Sequence, residues 1–498
     1  MARSGRGKSR GGPPARGGAP GPSMPPELQE AITLHRAGRL EPARRAYGAI
    51  LEQKPTHAHA LFLLGALESQ AGRHEEGCEL IERSLASNRR LPEAHLNHGT
   101  VLARMGRQDD AVEAFRRAIK LRQTFAEAYA GLADALLALG KATDAEKTLR
   151  DGIKRCGASV PMQQRLSLAL MRQDRLEESL TEIRKALAEQ PDDPSLRHAE
   201  HAVLTRVVPR WHFPMINEAR RNDAYQKAIE SAVSDGAHVL EVGTGSGLLA
   251  MMAARAGAAH VTTCEVVPVL AERAREIVAA NGFADRITVV NKRSNELVVG
   301  EDLPRRADLL ISEVLSDDFI SEGVIPSIRH ARQQLCVADA PMIPIGGAVM
   351  GALVTAPELE RQIGVSQVSG FDLSAFNAFA PRKFEWPHAN CDLELLSAPA
   401  ELMRIDLRTV TSSQLVEDAT LTADRAGTAL GVMQWIRAEL DGDTTYENAP
   451  TDGFSHWAMI FYRFPESLVV SPGDDVRVRT AVVGGSRGLE IERLDASV

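Results

Sequence analysis

Along residues 26–195 small and large apolar residues recur with a period of 34. Gly38, Gly72, Gly106, Gly140 and Asp174 mark the repeat, each in a turn such as Arg36-Ala37-Gly38-Arg39 or Arg104-Met105-Gly106-Arg107. Seven residues before each turn stand Ala31, Gly65, Gly99, Ala133 and Ser167, and five residues after it stand Ala43, Gly77, Ala111, Ala145 and Ser179. Tyr47, Ile81, Phe115, Leu149 and Ile183 keep the same period. Small residues facing each other across a turn let two helices approach closely. The large apolar residues fill the gap beside them, so the pattern predicts about five helix–turn–helix units. Residues 196–236 read as mostly helical. From 237 the pattern changes to short strand-like runs at 238–241, 260–265, 287–291 and 308–313, alternating with helical stretches such as 248–256 and 269–281. That alternation predicts a parallel sheet wrapped by helices. Beyond 350 strand-like runs dominate, at 347–355, 402–406, 433–440, 457–464 and 476–483, and predict a β-rich barrel or sandwich.

The 34-residue unit resembles the tetratricopeptide (TPR) family, whose units stack into a superhelix with a concave face. The resemblance implies a protein or peptide ligand; a solenoid with a structural role alone is the competing reading. The chain is therefore expected to be multidomain. Residues 1–25 form a disordered Gly/Pro/Arg tail and 26–195 an all-α TPR superhelix. Residues 196–236 are expected to form a helical linker, 237–350 an α/β Rossmann-like core and 351–498 a β-barrel. The tail carries Arg3, Arg6, Lys8, Arg10 and Arg16 with no acid and almost nothing to bury, so it is expected to be solvated. Its two RGG units, Arg10-Gly11-Gly12 and Arg16-Gly17-Gly18, leave room for a weak RNA contact or self-modification.

Composition changes this picture little. Of 498 residues, 44% are hydrophobic and 25% charged, which suits a protein with several packed cores. The net charge of -8 disfavours nucleic acid as a general partner. No run of about 20 apolar residues suggests a membrane span. Five scattered cysteines form no compact Cys/His motif, so neither zinc nor a disulfide framework is expected, and a cytoplasmic location fits.

The chemistry-bearing segment is Val239-Leu-Glu241-Val-Gly243-Thr-Gly245-Ser-Gly247. Glycines permit a tight turn and close backbone approach to a ligand, and the following helix offers free N–H groups. Glu265, 20 residues after Gly245 at the end of the next apolar run, can accept ribose hydroxyls. A dinucleotide site shows much the same pattern. The G-x-G-x-G spacing, Glu241 placed to meet a cationic amino group, and the lack of a second nucleotide half favour S-adenosyl-L-methionine. Further on, Glu313 and Glu322 stand nine apart in a stretch that also holds Asp317 and Asp318. Acids beyond a strand's C-terminal end lie where α/β folds place ligands, although a solvated acidic loop has the same composition.

The glycine turn, the paired glutamates and Ser455-His456-Trp457 together resemble the protein arginine methyltransferase family over about residues 205–498, which implies a cofactor-covering segment at 196–236, a class I methyltransferase core at 237–350 and a β-barrel substrate domain at 351–498. The segments 291–296 and 321–326 look closest to its type 7 and type 9 branches, and the TPR half points to type 9. Unlike that branch, this chain has one catalytic unit, which suggests a homodimer. The resemblance implies that Glu313 and Glu322 hold the substrate guanidinium. Gly243, Gly245, Gly247 and Glu265 would form the cofactor turn and ribose site, and Ser294 and Asn295 would contact adenine. It further implies that Arg221 pairs with the cofactor carboxylate, Met215 lines the transfer site, and His456 and Trp457 close the arginine pocket. His456 is a candidate general base; a buried structural histidine is the alternative. Two features depart from the family: Trp211-His212-Phe213-Pro214 replaces paired tyrosines, and Ser455 replaces a threonine. The implied activity is S-adenosylmethionine-dependent methylation of a protein substrate with exposed arginines, with no metal required. A methyltransferase for another acceptor, such as a lysine or a ribosomal protein, and a TPR scaffold with an inactive catalytic half remain the alternatives.

Overall fold

The computed structural model describes residues 24–317, 319–320, 323–356, 359, 361–362, 364–386, 393–412, 415–453, 455–482 and 489–494. Both RGG units and Glu322 lie outside the described residues. The chain divides into two compact units, up to Val207 and from Val208.

The first unit is a run of antiparallel helix pairs: α1 (Pro26–Arg36), α2 (Leu40–Gln53), α3 (Ala58–Gln70), α4 (His74–Ser87), α5 (Pro92–Arg104), α6 (Gln108–Leu121), α7 (Ala126–Ala138), α8 (Ala142–Cys156), α9 (Val160–Arg172), α10 (Leu176–Glu189) and α11 (Pro194–Val207). The 34-residue period has a backbone cause. Gly38, Gly72, Gly106 and Gly140 all hold left-handed φ values between 70° and 87°, and Asp174 takes the same region at 60°. The small residues let the helices of a pair approach closely. A Cβ on Gly65 would lie 2.6 Å from the Gly77 carbonyl oxygen. In the last pair the small side chains bond instead, Ser167 Oγ to Ser179 Oγ at 2.9 Å. Tyr47, Ile81, Phe115, Leu149 and Ile183 are all buried beside these contacts. Helix α11, within the stretch expected as a linker, packs on α9 and α10.

The second unit begins with α12 (His212–Ile216) and α13 (Ala219–Ala232). The alternating region follows: β1 (His238–Val242), α14 (Leu248–Arg255), β2 (His260–Cys264), α15 (Pro268–Ala280), β3 (Ile287–Val290), β4 (Leu309–Ser312), α16 (Val324–His330) and β5 (Met342–Ile343). The five strands form a parallel sheet in the order β3-β2-β1-β4-β5. Strands β1 and β2 are buried almost throughout, as a sheet covered on both faces requires. The chain order reverses between β1 and β4, and such a reversal opens a ligand crevice at the strands' carboxyl ends.

The rest is antiparallel: β6 (Gly346–Thr355), β7 (Gln367–Val368), β8 (Phe371–Asp372), β9 (Lys383–Trp386), β10 (Glu394–Leu395), β11 (Ala400–Asp406), β12 (Val416–Thr422), β13 (Gly427–Glu439), β14 (Thr445–Glu447), β15 (Met459–Val470), β16 (Asp475–Val482) and β17 (Leu489–Leu494). The described pairings give a seven-stranded sheet centred on β6, β13 and β15, a separate ladder β12-β16-β17, and the small β7-β8 hairpin. One apolar core runs from the parallel sheet into this β-rich domain, joining Ile311, Phe319 and Val349 among others. A second lies on the other face of the seven-stranded sheet around Trp435 and Phe461. Among the described residues no helix is long and apolar enough to cross a membrane.

Candidate active site

The glycine turn leaves β1 at the topological switch point. Gly243, Gly245 and Gly247 all have positive φ, 92°, 51° and 81°. A side chain on Gly243 would also strike Val314, 2.8 Å from its missing Cβ, in the loop that follows β4. The turn and the acidic loop can therefore approach only because glycine stands there. Glu265, one residue beyond β2, accepts the Gly245 N–H at 3.1 Å and the Val267 N–H at 3.0 Å. Each oxygen keeps a lone pair for a further donor. Glu241 is buried in β1, and neither of its carboxylate oxygens has a hydrogen-bond partner. Burial pushes its carboxyl up to about 8, against the pull of the Thr263 hydroxyl, which lies close without completing a hydrogen bond of good geometry, and of Arg221. An unpartnered buried carboxyl beside a glycine turn is expensive unless a ligand's donor answers it.

Glu313 follows directly on β4 and is 6% exposed at its side chain. Its partner is one that the resemblance did not imply: Arg221 of α13 points at Glu313. Arg221 Nε donates to Glu313 Oε1 at 2.5 Å, and Nη2 meets Oε2 in a second, close contact. The Arg221 guanidinium also lies over the Tyr225 ring, 4.9 Å from its centroid. Neither charge can be left alone at this burial, so the two residues assigned to separate ligands hold each other. The fork orients the carboxylate and leaves further lone pairs for a guanidinium.

The His456 loop closes the other side. His456 Nδ1 bonds Glu218 Oε2 at 2.7 Å, and the His456 backbone N–H donates to the same oxygen at 2.8 Å. Tyr446 donates its hydroxyl to Glu218 Oε1 in a short contact. Burial drives His456 below its ordinary value, Glu218 opposing and Arg221 adding to the shift. Burial also works to raise Glu218, but the bonds from His456 and Tyr446 outweigh it and hold the carboxyl below its usual range. Nδ1 is the nitrogen that faces Glu218, so Nε2 is the nitrogen placed to take a proton.

Trp457 anchors the loop. It is 4% exposed, packs against Tyr446, and donates Nε1–H to the Leu315 carbonyl at 3.1 Å. Asp317 accepts the Ala458 N–H at 3.1 Å, and its carbonyl accepts from buried Gln434 at 3.1 Å. The β-rich domain thus clamps the loop that carries Glu313. Ser455 keeps the hydroxyl expected of a threonine: its Oγ bonds Tyr446 at 2.9 Å and accepts the Trp457 N–H at 3.2 Å. Ser294 is buried at the start of a short 3-10 turn after β3, whereas Asn295 is exposed. Met215 is half-buried in α12. Glu218 and Tyr446 were missed by sequence reasoning. The signal for Glu218 was its position just before the helix that carries Arg221, three residues ahead of it; Tyr446 carried none.

Comparison with known proteins fits this geometry. Residues 226–331 match the model for ribosomal protein L11 methyltransferase (PrmA), and 349–490 match the arginine methyltransferase oligomerization subdomain. Residues 56–124 and 96–160 match tetratricopeptide repeats. An arginine N(omega)-methyltransferase of Streptomyces achromogenes subsp. streptozoticus is 37% identical over 317 residues, covering 61% of this chain and 86% of that protein. The chain belongs to the arginine N-methyltransferase family. Within it, protein arginine N-methyltransferase 9 of Xenopus laevis is 26% identical over 59% of this chain and 40% of its own length. Protein arginine N-methyltransferase 7 of Oryza sativa subsp. indica is 32% identical over 48% and 36%. This chain thus spans about two-fifths of those two longer relatives. The solved Trypanosoma brucei PRMT1 enzyme-prozyme heterotetrameric complex with AdoHcy shares the fold, with TM-score 0.52 at 21% identity over 59% of this chain and 96% of that one. The methyltransferase's cofactor is S-adenosyl-L-methionine, and the residues fit it. Glu241 is a buried acceptor without a donor, the glycines admit close approach, and Glu265 lies at the end of β2.

Proposed function

We propose that this enzyme transfers a methyl group from S-adenosylmethionine to a guanidinium nitrogen of a protein-bound arginine, with the TPR unit recruiting the protein. The observation that carries the reading is Glu313, fixed by Arg221 at the switch point between β1 and β4. The cofactor supplies an electrophilic methyl on a sulfonium sulfur. Everything else falls to the chain. Arginine is protonated at working pH and its nitrogens are delocalised, so the site must orient and polarise it. Glu313 binds one edge through charge-assisted bonds, and Glu322 takes the other edge as the resemblance implies. As the nitrogen gains the methyl it loses a proton, which His456 Nε2 accepts while Glu218 stabilises the imidazolium.

One finding favours a second reading, free arginine as acceptor: the 37% identical relative is named for arginine, not protein arginine. Labelled cofactor offered with an arginine-rich peptide and with free arginine, followed by product analysis, separates the two. Preferential peptide labelling on guanidinium supports the proposal; labelling of free arginine alone, or of lysine, defeats it. The same analysis resolves mono- from dimethylation.

Glu241 makes the cofactor step measurable. Its carboxyl, at about 8, holds a proton at pH 7. A cationic amino group brought beside it draws that proton off. Calorimetry in buffers of differing ionisation enthalpy should therefore show proton release when S-adenosylmethionine binds, and Glu241→Gln should abolish it. Release unchanged in the variant would remove Glu241 from the cofactor site.

A homodimer is part of the proposal. Phe371, Phe376 and Phe379 are 71%, 66% and 79% exposed on one short stretch of the region matching the oligomerization subdomain. Phe379→Asp should turn a dimer into a monomer in sedimentation; a monomeric parent would refute this. A cytoplasmic placement, proposed from the scattered cysteines, suits the free thiols of Cys78, Cys156, Cys264 and Cys336.

A further inference from the structure

Far along the chain from the methyltransferase core, the second and third helical repeats bring together a thiol, a carboxylate and an imidazole. Cys78 and Glu82 stand four apart on α4 and so share one face of that helix. His98 reaches the same point from α5. One donor atom from each lies within 4.8 Å of the other two. Cys78 Sγ is 3.7 Å from Glu82 Oε1, and His98 Nε2 is 3.6 Å from that same oxygen.

These separations are informative. The imidazole–carboxylate distance is too long for a hydrogen bond. His98 Nε2 is accordingly buried with no hydrogen-bond partner. Ligands at about 2.0–2.3 Å from a tetrahedral zinc ion stand roughly 3.3–3.6 Å from one another. The group is spaced as the edges of a coordination polyhedron are, with the donors slightly spread. We infer that Cys78, Glu82 and His98 form a Zn²⁺ site that ties α4 to α5, its fourth position open to water or to a side chain of a bound partner.

Donor chemistry selects the metal. A thiolate excludes Mg²⁺ and Ca²⁺, which take oxygen ligands. Thiolate, imidazole and carboxylate are all zinc ligands, and three protein ligands with one open position is a known zinc arrangement. On binding, the Cys78 thiol releases its proton to solvent and its sulfur bonds the metal; His98 binds through neutral Nε2 and Glu82 through its carboxylate. The divalent charge is cancelled by the two anionic ligands, so no net charge is buried. Burial lowers His98's basicity, which keeps the imidazole neutral and ready to bind, while it pushes the Cys78 thiol up to about 11, so only a metal would deprotonate it near neutrality.

The test uses the full chain, stripped by chelator and titrated with Co²⁺ and then Zn²⁺. One equivalent of Co²⁺ should produce a thiolate-to-metal charge-transfer band and the intense visible bands of four-coordinate cobalt, and Zn²⁺ should bleach both. Cys78→Ser should abolish the charge-transfer band, and Cys156→Ser should leave it intact. Glu82 is 56% exposed, so Glu82→Gln spares the fold. Even a ligand's hydrogen-bond partner is worth about tenfold in affinity, so Glu82→Gln should weaken Zn²⁺ binding at least about tenfold. Absence of the band in the parent chain, its survival in Cys78→Ser, or unchanged affinity in Glu82→Gln would each overturn the site.

Discussion

Glu313→Gln should lower turnover by about a thousandfold, the scale on which a positioned electrostatic group acts in a closed site. Two losses combine. The neutral amide no longer draws positive charge along the substrate guanidinium, and it presents an N–H where an acceptor is needed. The same change strips Arg221 of its counterion while leaving it 2% exposed. Breaking a buried pair from one side costs about 3–5 kcal/mol, so the melting temperature should fall as well. The two losses can be separated. Adding Arg221→Met removes the orphaned charge and should restore much of the stability without restoring turnover. Measuring kcat beside thermal unfolding in both variants decides the matter: turnover that recovers with stability would mean that Glu313 serves the fold rather than the substrate.

The second large effect is expected at Glu218. Glu218→Gln should reduce kcat about a hundredfold, the usual worth of a positioned general base. Its sign with pH is distinctive. His456 acts as the neutral imidazole, and burial has lowered its basicity below the ordinary histidine value. Turnover in the parent enzyme therefore persists below pH 6.5 and declines only as pH falls through that lowered value. Glu218 is the group that stabilises the imidazolium, so its removal should move the acid limb to still lower pH. A purely structural Glu218 would scale the whole profile without shifting the limb. Stability follows the same direction. A histidine whose folded value is depressed and a carboxyl held low both lose their contribution as pH falls, the first below 6.5 and the second below 4.5.

Helix pairs, parallel strands and the glycine turn were legible because each is local. A 34-residue repeat with a left-handed residue at every turn constrains the backbone wherever it occurs, and Asp174 keeps the conformation where glycine is lost. The runs predicted at 238–241 and 260–265 emerge as β1 and β2 because short strands alternating with helices pair into a parallel sheet covered on both faces. Short edge elements such as β10 and β14 were not legible, since two or three residues carry no period. The longer β12 was hidden by its alternation of acids and threonines on a mostly exposed edge.

The site divides along the same line. Gly243, Gly245 and Glu265 are bound by the strand–turn–helix unit itself, so their spacing along the chain already carried their geometry. Partners brought together by packing carried no such trace. Arg221 and Glu313 are 92 residues apart, and Tyr446 lies 228 residues beyond Glu218. The family resemblance assigned Arg221 and Glu313 to different ligands; in the folded chain they face each other, because two opposite charges withdrawn from water must find a counterion. Likewise the helices made Cys78 and His98 neighbours although no compact motif announced them. The sequence by itself determined which backbone segments could turn, stack or pair, since those choices are made over a few residues. Which side chains share one low-dielectric site was decided by the tertiary structure alone, where desolvation selects the partners.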